Sequence, residues 1–391
     1  MSVRGSYARP SLDLRAVLPL AAVVLFGVVA VYDATSGKVP ADASFLTYLT
    51  VFQSQLIYAG IGFALLMVIG LMPARITDSI TTPFFVAAVL ACLALFVPGV
   101  GSGPNGVRRW IQLGPLTVQP SEFLKPALAL MLARIVTWPD ADLRASVRSF
   151  AWPAGVALFC FLMVERQPDM GTGLVLLAIS FSILFLAGAR IRHLLAGGAL
   201  MMVGLAVAIK LLHFRSGRIP AFFDPEGHRW TTGFQVAHSL IAVARSGLAG
   251  AGFGLGVGKT VLPVAGSDYV FATVAEELGL LGSVLLIGGL VFVIMRLFQI
   301  ASRAPHRRMR LAAGGICLGL AAQTLLNIAV VTNCLPSTGV PLPFISDGGS
   351  SMVASLMSVG IVLSLGRPRP DPGVAAMDGV STSPARRGAV A

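Results

Sequence analysis

Long apolar runs recur along the whole chain and are separated by short polar stretches. Each run has about 20 residues, which is enough for an α-helix to cross roughly 30 Å of hydrocarbon. The runs are continuous and do not alternate apolar with polar residues, so they predict helices and not the strands of a barrel. The predicted fold is an all-α polytopic membrane protein of about ten transmembrane helices. The expected spans are 15–33, 50–72, 79–98, 120–137, 150–165, 170–188, 193–213, 270–296, 309–333 and 347–366.

Arginine and lysine are unevenly distributed among the polar stretches, and this bias predicts the orientation. With the N-terminus inside, 18 of the 29 Lys and Arg residues fall in inside segments, as the positive-inside rule requires. Ten spans then place both termini in the cytoplasm. The predicted organisation is a cytoplasmic segment 1–14, a membrane domain 15–366 and a disordered cytoplasmic tail 367–391. A long outer loop, 214–269, separates spans 7 and 8.

Composition agrees with a membrane protein, since 55% of the residues are hydrophobic, 12% are charged and the mean hydropathy is +0.83. The net charge of +12 does not indicate nucleic-acid binding, because the basic residues are scattered among the spans. Four widely spaced cysteines form neither a metal-binding pattern nor a disulfide framework. The first apolar run lacks an obvious cleavage site, so we expect a retained span and no cleaved signal peptide.

Candidate chemistry is concentrated on the predicted outer side, and the first cluster precedes and opens the fourth span. Ser121 is expected to cap that helix, and Glu122 lies in its first turn, where the helix dipole favours an anion. Lys125 shares a helix face with Glu122, and the pair is either a structural salt bridge or part of a polar cavity wall. Arg109 fits an anionic headgroup or pyrophosphate, although an interfacial Arg-Trp anchor would have the same sequence.

The next two clusters lie at the turn between spans 5 and 6 and in the long outer loop. Asp169 is either a helix cap or a member of the first cluster. The glycine-rich stretch 247–258 is followed by Lys259, which gives it a superficial likeness to a phosphate-binding loop. That motif requires a preceding strand and a cytosolic nucleotide, so we do not expect a nucleotide site here. Glycine at these positions is expected to allow tight turns at the membrane surface.

Asp268 stands just before the eighth span, at the end of the long loop. A carboxylate there would be partly desolvated, which would raise its pKa towards neutrality, as a general base requires. The alternative is an N-cap for the following helix. Glu276 and Glu277 fall two turns deeper, and we expect one of them to be buried and paired with an Arg or Lys from another span.

The last cluster is a stretch rich in Pro and Gly that opens the tenth span. It contains Ser346, Asp347 and Ser350, and its free amides fit either an anion site or a plain re-entrant turn.

At these clusters the chain resembles the SEDS family, the RodA, FtsW and SpoVE proteins of bacterial cell-wall synthesis. The motifs occur in the family's order over about residues 15–366, and they are highly specific jointly although not singly. They are Arg109–Gly114, Gln119–Glu122, Lys125, Gln167–Asp169, Gly171–Thr172, Gly233, Gln235, Asp268, Glu276–Gly279, Asn327, Leu342–Pro343, Ser346 and Gly348–Ser351.

The resemblance implies a peptidoglycan glycosyltransferase of the bacterial cytoplasmic membrane, which polymerises lipid II at the outer face and releases undecaprenyl pyrophosphate. It implies a class B penicillin-binding protein as partner, besides lipid II, the undecaprenyl-linked glycan and membrane lipid, and it places the catalytic base on Asp268. It does not distinguish roles in cell shape, division and sporulation. The candidate substrate-binding residues are Arg109, Gln119, Ser121, Glu122, Lys125, Asp169, Arg218, Gln235, Glu277, Ser346 and Ser350.

The chain departs from the family pattern at two places. Asp347 replaces the usual Tyr, and this extra carboxylate could bind a metal, compete with Asp268 as the base or cap the last span. The usual Leu-Pro-Glu and Thr-Asp-Phe read Leu262–Val264 and Ser267–Tyr269. No cofactor is required by the sequence, although Mg²⁺ or Mn²⁺ bound by Asp268 and Asp347 is one hypothesis. A lipid II flippase and an inactive scaffold for the transpeptidase are the alternative functions.

Overall fold

The structure, a computed structural model, describes residues 13–36, 45–103, 107–114, 116–139, 141, 143, 147–199, 217–262 and 265–367. These residues form mostly helices, with one small sheet. The helices are α1 Leu14–Ser36, α2 Phe45–Leu71, α3 Ala74–Ser79, α4 Thr81–Ala94, α5 Pro120–Ile135, α6 Val147–Glu165, α7 Met170–Leu186, α8 191–199, α9 Arg218–Phe223, α10 Phe234–Arg245, α11 Gly258–Val261, α12 Val270–Ser302, α13 Arg307–Val331 and α14 Gly349–Leu365. The strands are β1 Gly101–Ser102, β2 Trp110–Leu113 and β3 Leu116–Val118.

Each predicted span coincides with a helix over most of the residues that the structure describes in it. Four described helices are long and apolar enough to cross a membrane, namely Leu14–Ser36, Phe52–Leu71, Val270–Ser302 and Arg307–Val331. Four further apolar helices are shorter, namely Thr81–Ala94, Ser149–Glu165, Met170–Leu186 and Gly349–Leu365. A polytopic helical membrane protein is therefore confirmed, while the count of ten spans stays a prediction. Most of the seventh predicted span, and nearly all of segments 1–14 and 367–391, lie outside the described residues.

The expected outer loop between α4 and α5 contains a three-stranded antiparallel sheet, which the all-α prediction missed. The strands pair in the order β1-β2-β3, with Gly101 opposite Ile111 and Ile111 opposite Val118. The turn between β2 and β3 contains Gly114, whose φ of +62° favours glycine. The sheet ends at Val118, Gln119 is the N-cap of α5, and Pro120 opens this helix, where its missing N–H is not needed.

The long loop 214–269 is also more ordered than an irregular connection, since its described part contains α9, α10 and α11. In α10 the residues Val236, Ala237, Ser239 and Ala242 are buried, so one face of this short helix packs against the membrane domain. Ser239 Oγ fixes this packing by donating a 2.6 Å hydrogen bond to the Val331 carbonyl at the end of α13.

Two helices occupy the centre of the described structure and bring their N-termini together. α14 is buried along its whole length after Gly349, and α5 is buried at 13 positions. The Gln119 amide donates to Ser350 Oγ at 2.9 Å, and Ser350 Oγ donates to the Thr117 carbonyl at 3.0 Å. This contact places the first and last sequence clusters side by side.

Candidate active site

Asp268 lies in a tight turn, 265–269, directly before α12, and this turn is fixed from two other elements. Asn327 of α13 donates a 2.8 Å hydrogen bond from Nδ2 to the Asp268 carbonyl. Ser346 Oγ donates to the Ser267 carbonyl at 2.6 Å and accepts from the Leu342 amide at 2.7 Å. Ser346 therefore supports the backbone that carries Asp268.

The Asp268 side chain does not cap the following helix. The N-cap of α12 is Tyr269, and no side chain caps it. The Asp268 carboxylate is half-buried, and it accepts no hydrogen bond from any residue that the structure describes. The helix-cap interpretation is therefore wrong, and both carboxylate oxygens keep their capacity to accept a proton or a hydrogen bond.

The pKa of Asp268 is raised from 3.8 to about 6, and burial is the largest cause. The nearby Asp169 carboxylate also raises this pKa, while the positive charges of Arg109 and Arg218 lower it. A pKa near 6 keeps this group mostly ionised at neutral pH yet basic enough to accept a proton, which is the property that the sequence predicted for a general base.

Arg109 and Arg218 reach the surroundings of Asp268 from two different outer segments. Arg109 donates from Nε to the Gln167 carbonyl at 2.8 Å and from Nη2 to the Pro168 carbonyl, so it is held at the turn between α6 and α7. Arg218, at the start of α9, donates from Nη1 to the Ser337 carbonyl at 2.6 Å. Burial lowers the pKa of Arg218. A guanidinium has five N–H donors, so these bonds leave donors for an anionic ligand.

A polar cavity of about 150 Å³ adjoins Arg218. The sequence predicted Arg218 and Gln235 for this region and missed two other lining residues, Thr232 and Ser337. Ser337 Oγ also accepts a 3.4 Å hydrogen bond from the hydroxyl of Tyr269, which is next to Asp268 in sequence. Hydroxyl residues of a loop carry no local signal of such a role, because only the tertiary structure brings Ser337 to the cavity.

Gln119, Ser121 and Asp169 form one hydrogen-bond network. Asp169 caps α7 by accepting from the Thr172 amide at 3.2 Å. Its other oxygen accepts from Gln119 Nε2 at 2.9 Å and from Ser121 Oγ at 3.4 Å. Asp169 therefore both caps α7 and belongs to the first cluster, as the two predictions had it. The expected capping of α5 by Ser121 is wrong, because the Ser121 hydroxyl donates to Asp169 instead.

Glu122 and Lys125 form the expected pair on one face of α5, with 2.7 Å between Lys125 Nζ and Glu122 Oε2. Both residues are buried, and Lys125 also donates to Gln323 Oε1 of α13 at 2.7 Å. The three residues line a small internal cavity among α5, α7, α13 and α14. The pair is therefore both a salt bridge and part of a cavity wall, so the two alternatives hold together. None of the contacts given for Glu122 and Lys125 involves Asp268.

Asp347 is exposed at the turn before α14, and its amide donates to the Gly266 carbonyl at 2.8 Å. The N-cap of α14 is Gly348 and has no side-chain cap, so the capping hypothesis for Asp347 is wrong. Among the described residues no three His, Cys, Asp or Glu side chains are grouped as a metal site. A cation bound by Asp268 and Asp347 would need further ligands from substrate or water, and it stays a prediction.

Glu277 lies in a different place from the other predicted site residues. Its Oε1 accepts from Lys259 Nζ at 2.9 Å, and the same Nζ donates to Asp33 Oδ1 of α1 at 2.7 Å. We call Lys259, Asp33 and Glu277 the Lys259 cluster. All three side chains are buried. The paired glutamate was predicted, but its lysine comes from the loop and not from a span. The signal for Asp33, a single carboxylate in an apolar run, was overlooked.

Comparison with known proteins agrees with this fold. The FtsW–RodA–SpoVE family model, described as cell cycle protein, matches residues 14–369. Stage V sporulation protein E of Bacillus subtilis (strain 168) is 33% identical over 364 residues, covering 92% of this chain and 98% of that protein. A probable peptidoglycan glycosyltransferase FtsW of Geobacter sp. (strain M18) is 34% identical over 348 residues, covering 88% and 94%.

Solved structures give the same result. The rod shape determining protein RodA of Thermus thermophilus superposes with a TM-score of 0.66 at 29% identity, over 91% of this chain and 97% of RodA. A chain from a peptidoglycan synthase complex, studied for its coordination of polymerization and crosslinking, superposes with a TM-score of 0.75 at 30% identity, over 91% and 98%. This chain therefore belongs to the FtsW–RodA–SpoVE family, the SEDS proteins.

Proposed function

We propose that the chain is a peptidoglycan glycosyltransferase that joins lipid II units at the outer face of the cytoplasmic membrane, with Asp268 as the general base. Support comes from the relatives named as probable peptidoglycan glycosyltransferases, which share a third of their residues with this chain over most of its length. The observation that carries the residue assignment is the Asp268 carboxylate itself. It is half-buried, has a raised pKa and accepts no hydrogen bond from the described residues.

In the proposed reaction, Asp268 takes the proton of the acceptor sugar hydroxyl as that oxygen bonds to the anomeric carbon of the donor. The bond between this carbon and the undecaprenyl pyrophosphate breaks, and the pyrophosphate leaves with the electron pair. The charges of Arg109 and Arg218 act on Asp268, so these two residues would stabilise the developing negative charge. The proposed substrate-binding set also keeps Gln235 at the cavity and the network of Gln119, Asp169 and Ser350.

The remaining predicted residues have roles at a distance in this proposal. Ser346 fixes the turn that carries Asp268, Ser121 holds Asp169, and the Glu122–Lys125 pair shapes the interior cavity. Glu277 contacts Lys259 and the glycine-rich loop, so we remove it from the substrate-binding set.

The decisive experiment measures glycan strands made by the purified chain from lipid II in detergent. Asp268→Asn should lower the rate about 10²- to 10⁴-fold, which is the usual contribution of a general base. Asp224→Asn is the matched control, since Asp224 is an exposed carboxylate in the same outer loop, and it should retain the rate of the unmodified chain. Undiminished polymerisation by Asp268→Asn would overturn the assignment of the base.

The same assay distinguishes the proposed glycosyltransferase from both alternative functions. Detergent removes the need for transport, so a flippase would make no glycan under these conditions. An inactive scaffold would make none with or without a partner. We also propose a class B penicillin-binding protein as that partner, supported by the similarity to a chain of a peptidoglycan synthase complex. Co-purification tests the partner, loss of activity with a chelator tests the divalent cation, and cysteine accessibility tests the proposed cytoplasmic termini.

A further inference from the structure

The glycine-rich segment, residues 247–258, runs beside a break in α12. At Gly279 the backbone leaves the helical conformation, with φ +67° and ψ −164°. The amides that follow the break bond to the segment instead of to their own helix, from Leu280 to the Gly247 carbonyl at 3.0 Å and from Leu281 to the Leu248 carbonyl at 3.2 Å. Segment and helix therefore share one hydrogen-bond system.

Many backbone amides of the segment donate hydrogen bonds to protein acceptors, although a loop in water could bond to water instead. Two of them bond to carbonyls of α12, from Ala251 to Glu276 at 2.9 Å and from Gly252 to Glu277 at 3.0 Å. Three more bond to carboxylates at 2.7–3.0 Å, from Gly254 and Gly256 to Glu277 and from Gly258 to Glu276. In hydrocarbon an irregular backbone persists only when such internal partners replace water.

The side chains of the segment show the opposite pattern, because its large apolar groups point outward. The exposed fractions are 71% for Leu248, 52% for Phe253, 70% for Leu255 and 55% for Val257. This surface continues onto the outward side of α12, where Leu281 and Leu285 are 63% and 76% exposed. A continuous apolar surface of this kind, with its polar backbone paired inside, is what lipid contact favours.

The length of α12 places the segment at a definite depth. Arg296 pairs with Asp13 at 2.7 Å near the other end of the helix, and this charged pair marks one boundary of the apolar region. A hydrocarbon thickness of roughly 30 Å corresponds to about 20 helical residues, which leads from Arg296 back to Glu276. The break at Gly279 therefore falls just inside the opposite boundary. Arg245 is exposed at the end of α10, two residues before the segment.

We propose that the glycine-rich segment is embedded in the outer part of the lipid leaflet, on the membrane side that carries Asp268, with its apolar side chains against phospholipid acyl chains. The segment is thus a re-entrant membrane element and not an aqueous loop. Lys259 and Asp268 follow it by one and ten residues, so this element anchors the active-site turn to the bilayer. The proposal does not depend on the enzymatic activity.

The test places an environment-sensitive nitrobenzoxadiazole fluorophore on single cysteines. Only Cys334 needs prior replacement by serine, since Cys92, Cys160 and Cys317 are buried. Leu255→Cys is the test position, Leu285→Cys on α12 is the lipid-facing control, and Thr231→Cys is the water-facing control in the same outer loop. The purified chain is reconstituted in phosphatidylcholine–phosphatidylglycerol vesicles, with or without nitroxide-labelled acyl chains, and iodide is the aqueous quencher.

We expect the Leu255 probe to match the Leu285 probe, with blue-shifted emission and quenching by nitroxide lipid several-fold stronger than at Thr231. Quenching by iodide to the same degree as at Thr231 would overturn the proposal, because the segment would then lie in water. Protection from both quenchers would also overturn it, because a protein surface, such as a second copy of the chain, would then cover the segment. Phe253→Cys repeats the test at a second position.

Discussion

Asp268 and Lys259 are two ionisable residues nine positions apart in the long connection before α12, and their surroundings differ completely. Lys259 Nζ has three acceptors within 2.9 Å, namely the Asp33 and Glu277 carboxylates and the Gly254 carbonyl. The Asp268 carboxylate accepts no hydrogen bond from the described residues, and burial raises its pKa to about 6. The Lys259 ammonium is therefore fully engaged in contacts within the fold, whereas the Asp268 carboxylate can still bind a ligand.

The largest expected effect on stability comes from removing the charge of Lys259. Lys259→Met leaves two buried carboxylates without their cation, and breaking a buried ion pair from one side costs about 3–5 kcal/mol. We expect a much lower Tm in detergent. Arg229→Met is the matched control, because Arg229 and Glu226 form an exposed pair at 3.5 Å whose loss costs under about 1 kcal/mol. Equal Tm values for both variants would show that the Lys259 cluster does not stabilise the fold.

The pairing of Lys259 with Asp33 within the Lys259 cluster could not be predicted from the sequence. Helix positions could be predicted from local apolar length, and that is why every described span was found. Lys259 and Asp33 are 226 residues apart, so nothing in either local pattern indicates their pairing. The sheet of β1–β3 was missed for a related reason, since strands of two to four residues are too short to show alternation.

For the candidate active site, the sequence predicted the main charged residues but not the contacts around them. Asp268 and Arg109 stand in motifs whose order carries a family resemblance, and Arg218 was named as a cation of the long loop, so the sequence alone was enough to name all three. The contacts that support and surround these three side chains could not be predicted from the sequence. The backbone support from Asn327 and Ser346, and the cavity residues Thr232 and Ser337, follow only from the packing of distant segments.

The next effect concerns the shape of the glycine-rich segment that Glu277 holds. Gly250 has φ +78°, and an added Cβ would lie 2.2 Å from the Glu277 carbonyl oxygen. Gly247 has φ +56° with open space around it, which makes it a control for the backbone conformation alone. We expect Gly247→Ala to cost about 1–2 kcal/mol and Gly250→Ala to cost about 1–3 kcal/mol more. Equal losses in thermal unfolding would contradict the close approach at Gly250.

Asp268→Asn should have the opposite effect on stability. Because its folded pKa of about 6 lies above the ordinary 3.8, Asp268 favours folding when it is protonated, and this contribution is lost as pH rises through 6. At pH 7.5 the neutral variant should therefore be more stable than the unmodified chain, by up to about 3 kcal/mol, and unfold at a higher Tm. At pH 5 the difference should be about half as large, because the unfolded carboxyl is still mostly ionised there, and the two Tm values should become nearly the same only below about pH 4. Lys259→Met should lose stability at both pH values. A loss at pH 7.5 for Asp268→Asn would instead make Asp268 a structural residue like Lys259.

The smallest effect is a displacement of the pH dependence of glycan polymerisation. The rate should fall on the acid side with a midpoint near pH 6, because protonated Asp268 cannot act as a base. The Asp169 charge raises the pKa of Asp268 and the Arg218 charge lowers it. Asp169→Asn should therefore move the midpoint to lower pH and Arg218→Gln to higher pH, each by less than about 1 unit, since burial of Asp268 is the largest cause of its raised pKa and each neighbouring charge is a smaller one.

The opposite directions make this prediction specific. Both residues also lie in the proposed substrate-binding set, so either variant could lower the rate at every pH, but such a loss does not move a midpoint. Two displacements of the same sign, or none, would mean that another group sets the acid limb and that Asp268 is not titrating in the measured step. Two displacements of opposite sign would tie the limb to the one carboxylate that both charges influence.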